Sequence, residues 1–205
     1  MKKLQKLAEQ MAAYSQEPVD YGQLTLAEVQ KLAEQGDPEA QVRLGFMYLY
    51  GQGVPQDGAE GEGVPQDPAE AMRWYRMAAE QGHVVGQYQL GLNYRGVEGI
   101  PQDYTESVKW LRAAAEQGHV LSMVWLGASY EKSVGVPQDY VQAHKWFNLA
   151  TVSEAASKSS RERGVTVRDD LAERMTREQI AEAQRLATEW EPKTWEVIRK
   201  ELKIE

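Results

Sequence analysis

GQGVPQDGAEGEGVPQDPAEA, residues 51–71, writes nearly the same ten residues twice. GQGVPQDGAE (51–60) and GEGVPQDPAE (61–70) are identical at eight of ten positions. The turn tetrapeptide inside them also occurs downstream, ending in turn at Asp57, Asp67, Asp103 and Asp139. From Asp67 onward its spacing is 36 residues each time, and Trp74, Trp110 and Trp146 each lie seven residues past their Asp. Leu44-Gly45, Leu90-Gly91 and Leu126-Gly127 are spaced by 46 and then 36, as is the string AEQG ending at Gly36, Gly82 and Gly118. The unit is therefore 36 residues long, and the first copy carries a ten-residue insertion. Self-similarity at a fixed period of this length marks a stacked-repeat architecture.

Each unit reads as two helices. Helix A is expected over 38–50, 84–95 and 120–132, where Leu44 and Tyr48, Leu90 and Tyr94, and Leu126 and Tyr130 fall four apart on one face. Gly45, Gly91 and Gly127 sit inside these helices, where glycine costs about 1 kcal/mol relative to alanine. With Ala40, Gly86 and Ser122 also small, the expectation is close approach of neighbouring helices. Helix B starts at the turn aspartate. Asp67-Pro68-Ala69-Glu70 places an acid at the N-cap, Pro at the first helical position and Glu at the third, and Asp103 with Glu106 and Asp139 with Gln142 repeat the pattern without the Pro. Trp74, Trp110 and Trp146 then face the core. Gly58 follows Asp57 where Pro68 follows Asp67, so helix B is expected to begin at the second copy, leaving 51–67 as a long loop that is either a tolerated duplication or functional.

The bulk numbers exclude several classes. The chain has 205 residues, 42% hydrophobic and 26% charged, with a formal net charge of −8 and no Cys. An acidic chain lacks the basic footprint of a nucleic-acid binder, and without Cys there is no disulfide, zinc ribbon or thiol chemistry. Leu4, Leu7, Met11 and Tyr14 give the N-terminus an amphipathic pattern with no apolar run, so neither a signal peptide nor membrane insertion is expected. The expected location is cytoplasmic, or periplasmic or secreted had a signal been removed. No HExxH, P-loop, GxSxG or dinucleotide fingerprint occurs. His83 and His119 lie one unit apart at the same turn, about 8–10 Å by helix spacing, too far to share a zinc, and read as solvent-facing. The expectation is no enzyme, no cofactor and no metal.

The pattern A-x-x-x-L-G-x-x-Y-x-x-G-x-G-V-x-Q-D-x-x-x-A-x-x-W-x-x-x-A-A-x-x-G, carried over roughly 37–151, resembles the Sel1-like repeat, a tetratricopeptide-like α/α solenoid family. Val97 and Ser133 depart from it where Gly51 stands, and Glu154 where the closing Gly is expected. The resemblance implies an all-α, right-handed solenoid of three Sel1-like helix pairs with an N-terminal half repeat and a C-terminal helical cap. The expected division is 1–36 as N-terminal capping helices and 37–152 as repeats (37–82, 83–118, 119–152). A flexible link over 153–167 and a cap over 168–205 complete it. Within the ends, Thr25…Glu28 and Thr176…Gln179 read as capping boxes, Pro192 ends a helix after Trp190, and 193–203 reads as a last helix with Trp195, Ile198 and Leu202 inward.

The implied function is scaffolding: an adaptor that holds a protein partner in the concave groove lined by helix A. The sequence does not fix the oligomeric state, and a monomer is the expectation. Positions that vary between units name the candidate contacts. Arg43, Gln89 and Trp125 form one column, Met47, Asn93 and Ser129 the next, with Tyr50 and Lys132 a turn further. Trp125 beside Arg and Tyr has the composition of a binding hot spot, or else packs against the C-terminal cap. A second ladder, Arg73, Lys109 and Lys145 with Arg76 and Arg112, reads as an outer face covering the helix-B tryptophans. An alternative function is a dedicated neutralising partner of one protein, of the immunity or antitoxin type. A cell-wall-ligand binder or hydrolase is a third.

Overall fold

The computed structural model describes residues 24–51, 63–152 and 158–204, and these form ten helices and no strand. A short α1 (Leu26–Glu34) precedes three pairs: α2 (Pro38–Tyr50) with α3 (Pro68–Glu80), α4 (Val84–Asn93) with α5 (Tyr104–Glu116), and α6 (Val120–Lys132) with α7 (Tyr140–Val152). Then come α8 (Lys158–Ala172), α9 (Arg177–Thr188) and α10 (Trp195–Glu201). Each helix from α1 to α7 packs on the next, and α9 packs back on α7, the signature of an all-α solenoid. The N-terminal pattern at Leu4, Leu7, Met11 and Tyr14 and most of the inserted loop lie outside the described residues.

The turn residues act locally as their chemistry requires. Asp67 accepts from the Ala69 and Glu70 amides, and Asp103 from those of Thr105 and Glu106. Asp139 accepts from the Gln142 amide. The third-position acids do not complete the reciprocal box: Glu70 pairs with Arg73, and Glu106 accepts from the Trp110 indole and Lys109. Full capping boxes form at Thr25 and Thr176. In every unit the turn is clipped to the end of helix A by two bonds. The Asp67, Asp103 and Asp139 amides donate to the carbonyls of Tyr48, Tyr94 and Tyr130. The Gln66, Gln102 and Gln138 side chains donate to those of Leu49, Arg95 and Glu131. The first unit makes both on either side of its insertion, so its described flanks are held as in the other units.

Helix A ends differently in the second unit for a steric reason. Gly51 takes a left-handed φ of 65°, and Ser133 at the same repeat position takes 56°. Val97 replaces them in the second unit, and a β-branched residue is costly there. Accordingly α4 stops at Asn93, short of the expected 95, and the turn passes through Gly96 at φ 122°. The mid-helix glycines are required by contact: a Cβ on Gly45 would lie 2.7 Å from the Tyr75 ring, one on Gly127 2.6 Å from Phe147, and one on Gly91 2.8 Å from Leu111.

The core runs through the stack as three clusters. One joins α1 to Leu44, Met47 and Trp74. The next joins Tyr75 and Leu90 to Trp110 and Ile198, and the last joins Leu126, Trp146 and Phe147 to Leu171 and Ala187. The three repeat tryptophans are buried, each with a cation over its ring: Arg73 at 5.2 Å, Lys109 at 5.7 Å and Lys145 at 4.2 Å. Arg76 and Arg112, expected on that outer face, instead donate to the Tyr94 and Tyr130 hydroxyls of the following unit. Amide side chains tie the two helices of a unit together: Gln81 donates to Gln41 at 2.8 Å and Gln117 to Gln87 at 2.7 Å.

Two C-terminal expectations are corrected. Of the link expected over 153–167, residues from Lys158 on are helical, as part of α8. Gly164, Val167 and Leu171 recur at helical spacing and turn toward α7, with the bare Gly164 set against Thr151, so an otherwise Ser- and charge-rich segment still has a face to bury. The segment after α9 is not a terminal cap alone. It runs back along the helix-B side of the stack. Trp190 packs at 6.3 Å on Trp146 and donates to the Glu116 carboxylate, and the Lys193 amide donates to the Glu116 carbonyl. Trp195 covers Gly82 and donates to the Glu80 carbonyl at 3.2 Å, while α10, shorter than the expected 193–203, buries Ile198 among Ala78, Ala79 and Trp110.

Candidate functional site

The columns chosen from sequence divide by burial. Arg43, Gln89, Trp125, Tyr50 and Lys132 reach the surface of the helix-A side, with Tyr50 60% exposed and stacked on Phe46. Met47, Asn93 and Ser129 do not: they are 6%, 2% and 0% exposed. Met47 belongs to the core around Leu44 and Trp74. Asn93 donates back to the Gln89 carbonyl at 2.7 Å and Ser129 to the Trp125 carbonyl at 2.9 Å, each four residues back on its own helix. These three lie beneath the face rather than on it.

Trp125 lies on the surface, 36% exposed. The C-terminal segment packs elsewhere, against Trp146, Glu116 and Gly82. What lies on Trp125 is Arg95, its guanidinium 4.8 Å from the indole centroid. The same guanidinium stands 5.7 Å from the Tyr104 ring and donates to Ser129 Oγ at 3.1 Å. Burial holds Arg95 below the usual arginine range, with the Tyr104 phenol opposing that shift. Tyr88 is a further neighbour of Trp125: burial pushes its phenol up, and interaction with the Trp125 side chain counters the rise. Val85 and Leu121, four residues before Gln89 and Trp125, are exposed apolar side chains at matching repeat positions. The result is an aromatic and aliphatic patch spanning two units, with one cation set into it. Arg95 was not among the residues picked out from sequence; it stands just outside the expected helix-A stripe, where a chain turn carries it back.

The histidines are not solvent-facing turn residues. Half-buried His83 and His119 occupy the repeat position of Asp37 and take its role, each accepting through Nδ1 at 3.3 Å, from the Gly86 and Ser122 amides. The His119 ring also lies 4.7 Å from Tyr88, and burial lowers its pKa. Among the described residues no group of three or more His, Asp or Glu side chains is placed to hold a metal ion, and no helix is long and apolar enough to cross a membrane. A polar recess of about 190 Å³ on the opposite side, under α10, is lined by Arg112, Lys145, Glu116 and Glu201, so its charges are balanced within it.

Comparison with known proteins agrees with this architecture. The Sel1 repeat model matches residues 38–61, 58–83, 84–119 and 120–151. The first two matches divide one helix pair between them, because each takes one copy of the duplicated turn. Among solved structures, a Sel1 repeat protein from Oxalobacter formigenes is 33% identical over 69% of this chain and 97% of its own, with a TM-score of 0.56. A protective antigen of uropathogenic Escherichia coli with an SLR fold is 27% identical over 99% of this chain and 47% of its own, with a TM-score of 0.45. No curated protein matches the chain. Such solenoids generally act as protein–protein interaction modules on a non-catalytic scaffold. With the repeat model covering more than half of its length, the chain belongs to the Sel1 repeat family.

Proposed function

We propose that this protein is a non-catalytic adaptor that holds a protein partner against its helix-A face, centred on Trp125. The supporting observation is the contrast among its repeat tryptophans. Trp74, Trp110 and Trp146 are buried in the core, whereas Trp125 is presented at the surface against Arg95 and near Tyr88, with the exposed Leu121 and Val85 on the same helix-A side. A partly exposed Trp and Arg within an apolar rim is the arrangement that concentrates binding energy in protein interfaces. Arg43, Gln89 and Lys132 border the patch, and Tyr50 extends the face toward the first unit.

The test is affinity capture from native lysate with the parent chain and Trp125→Ala side by side. The expected result is a specific partner on the parent that is lost or strongly weakened on the variant. The melting temperature should fall by no more than about 4 °C, since truncating a partly exposed side chain costs about 1 kcal/mol in a chain of this size. A much larger fall would make Trp125 a structural residue. Equal capture by both proteins would move the interface off this face.

A further inference from the structure

Resting on that reading of the Trp125 face, we infer that Arg95 receives a side-chain carboxylate from the partner. The partner segment then pairs an Asp or Glu with an adjacent bulky apolar residue that settles on Leu121 and Val85.

The argument comes from comparing neighbouring units. Tyr140 holds the repeat position of Tyr104, and each phenol ring carries a guanidinium: Arg174 at 4.7 Å from the Tyr140 centroid, Arg95 at 5.7 Å from that of Tyr104. Arg174 completes its coordination with a carboxylate, Glu131, at 2.7 Å. Arg95 has none: among the described residues no acidic side chain forms an ion pair with it. Other cations also lack an acid among the described residues, but Arg95 differs from them in lying against two aromatic rings, Trp125 and Tyr104. Arg168 and Arg185, like Arg174, each bind a carboxylate at 2.7 Å.

The guanidinium is also oriented for a ligand. The Trp125 and Tyr104 rings beside it and the bond to Ser129 Oγ hold the group in place while engaging only one nitrogen. A guanidinium has five N–H donors in a rigid fork suited to a carboxylate, so most of that capacity remains unused. Its half-buried state strengthens a charge-assisted bond relative to one in open water. Local charge agrees with an acidic visitor: Arg43 and Lys132, on the same side of the stack, also form no ion pair among the described residues. The net charge of −8 repels acidic chains at long range, so this short-range site would select by fit.

The test uses a twelve-residue peptide library displayed on phage as N-terminal fusions, so that no free peptide carboxyl terminus is present, panned against the full chain. The expected result is enrichment of an Asp or Glu next to Leu, Phe or Trp. A synthetic peptide from the enriched set should lose about tenfold or more in affinity on Arg95→Gln, the loss of one charge-assisted contact. Arg95→Lys should lose less, and melting curves of both variants verify that they fold. Peptides that lack an acid, or that bind Arg95→Gln as well as the parent, overturn the inference. If those same peptides are lost on Trp125→Ala, the Trp125 face stands without it. Acidic peptides lost on Arg95→Gln but indifferent to Trp125→Ala would keep the carboxylate site and move the centre of the interface. No enrichment at all overturns the inference, leaving the face to be judged by affinity capture.

Discussion

At the scale of single residues, the repeat register assigns roles that residue type alone would not. Asp37, His83 and His119 are one column, and all three cap the helix that follows them. An imidazole can do this only while Nδ1 is unprotonated. Burial lowers the His119 pKa below its unfolded value, so the neutral form is the one that folding favours. Its contribution is therefore complete above about pH 6.5 and is lost as the pH falls through the folded-state pKa. His119→Asn, whose amide oxygen accepts without titrating, should match the parent at pH 8 and exceed it by about 1 kcal/mol at pH 5, the usual worth of an N-cap. Denaturant unfolding at both pH values measures this. His144, also buried with a lowered pKa, titrates in both proteins and cancels. A constant difference across the range would exclude the titrating cap. The capping role was available in the alignment through Asp37, but histidine is seldom a cap, and the turn context pointed to solvent.

At the scale of elements, the helix pairs were legible because three in-register copies fix both period and face. Gly45, Gly91 and Gly127 announced tight packing, and the rings of Tyr75 and Phe147 and the side chain of Leu111 supply it. The binding stripe was only half legible. Variation between units was read as exposure, yet a helix wedged between two neighbours buries much of its circumference. Met47, Asn93 and Ser129 differ because each meets a different local need. The insertion was readable from the duplication itself. Its ends are held by the Asp67–Tyr48 and Gln66–Leu49 bonds that recur in the uninserted units. Deleting residues 51–60 should therefore leave a soluble, folded chain whose stability is unchanged or raised by about 1 kcal/mol, the closure entropy of the longer loop. Circular dichroism and denaturant titration read the outcome. Aggregation or loss of helix would assign the insertion a structural part.

At the scale of the whole molecule, the feature that sequence did not disclose is the destination of the C-terminal segment. Trp195 and Ile198 were visible as an inward face, but nothing local distinguishes Gly82, which Trp195 covers, from its repeat-mate Gly118, which has open space. The two glycines make a controlled comparison. Both have left-handed φ, 88° and 98°, so alanine strains each backbone by about 1–2 kcal/mol. Only Gly82→Ala also collides with the indole, 2.6 Å from the new Cβ. Gly82→Ala should be the more destabilising, with a change in tryptophan fluorescence that Gly118→Ala lacks. Equal effects would mean that Trp195 is not seated there in solution. An array of stacked units ordinarily behaves like a row of spins that feel only their nearest neighbours, and it frays from its ends. Here Trp190, Lys193 and Trp195 touch the third, second and first units in succession. That adds a coupling of longer range and turns an open row toward a closed loop. The end units then have no cheap way to melt alone, so the stack should come apart in one cooperative step, and the helix-A face should keep its shape until it does.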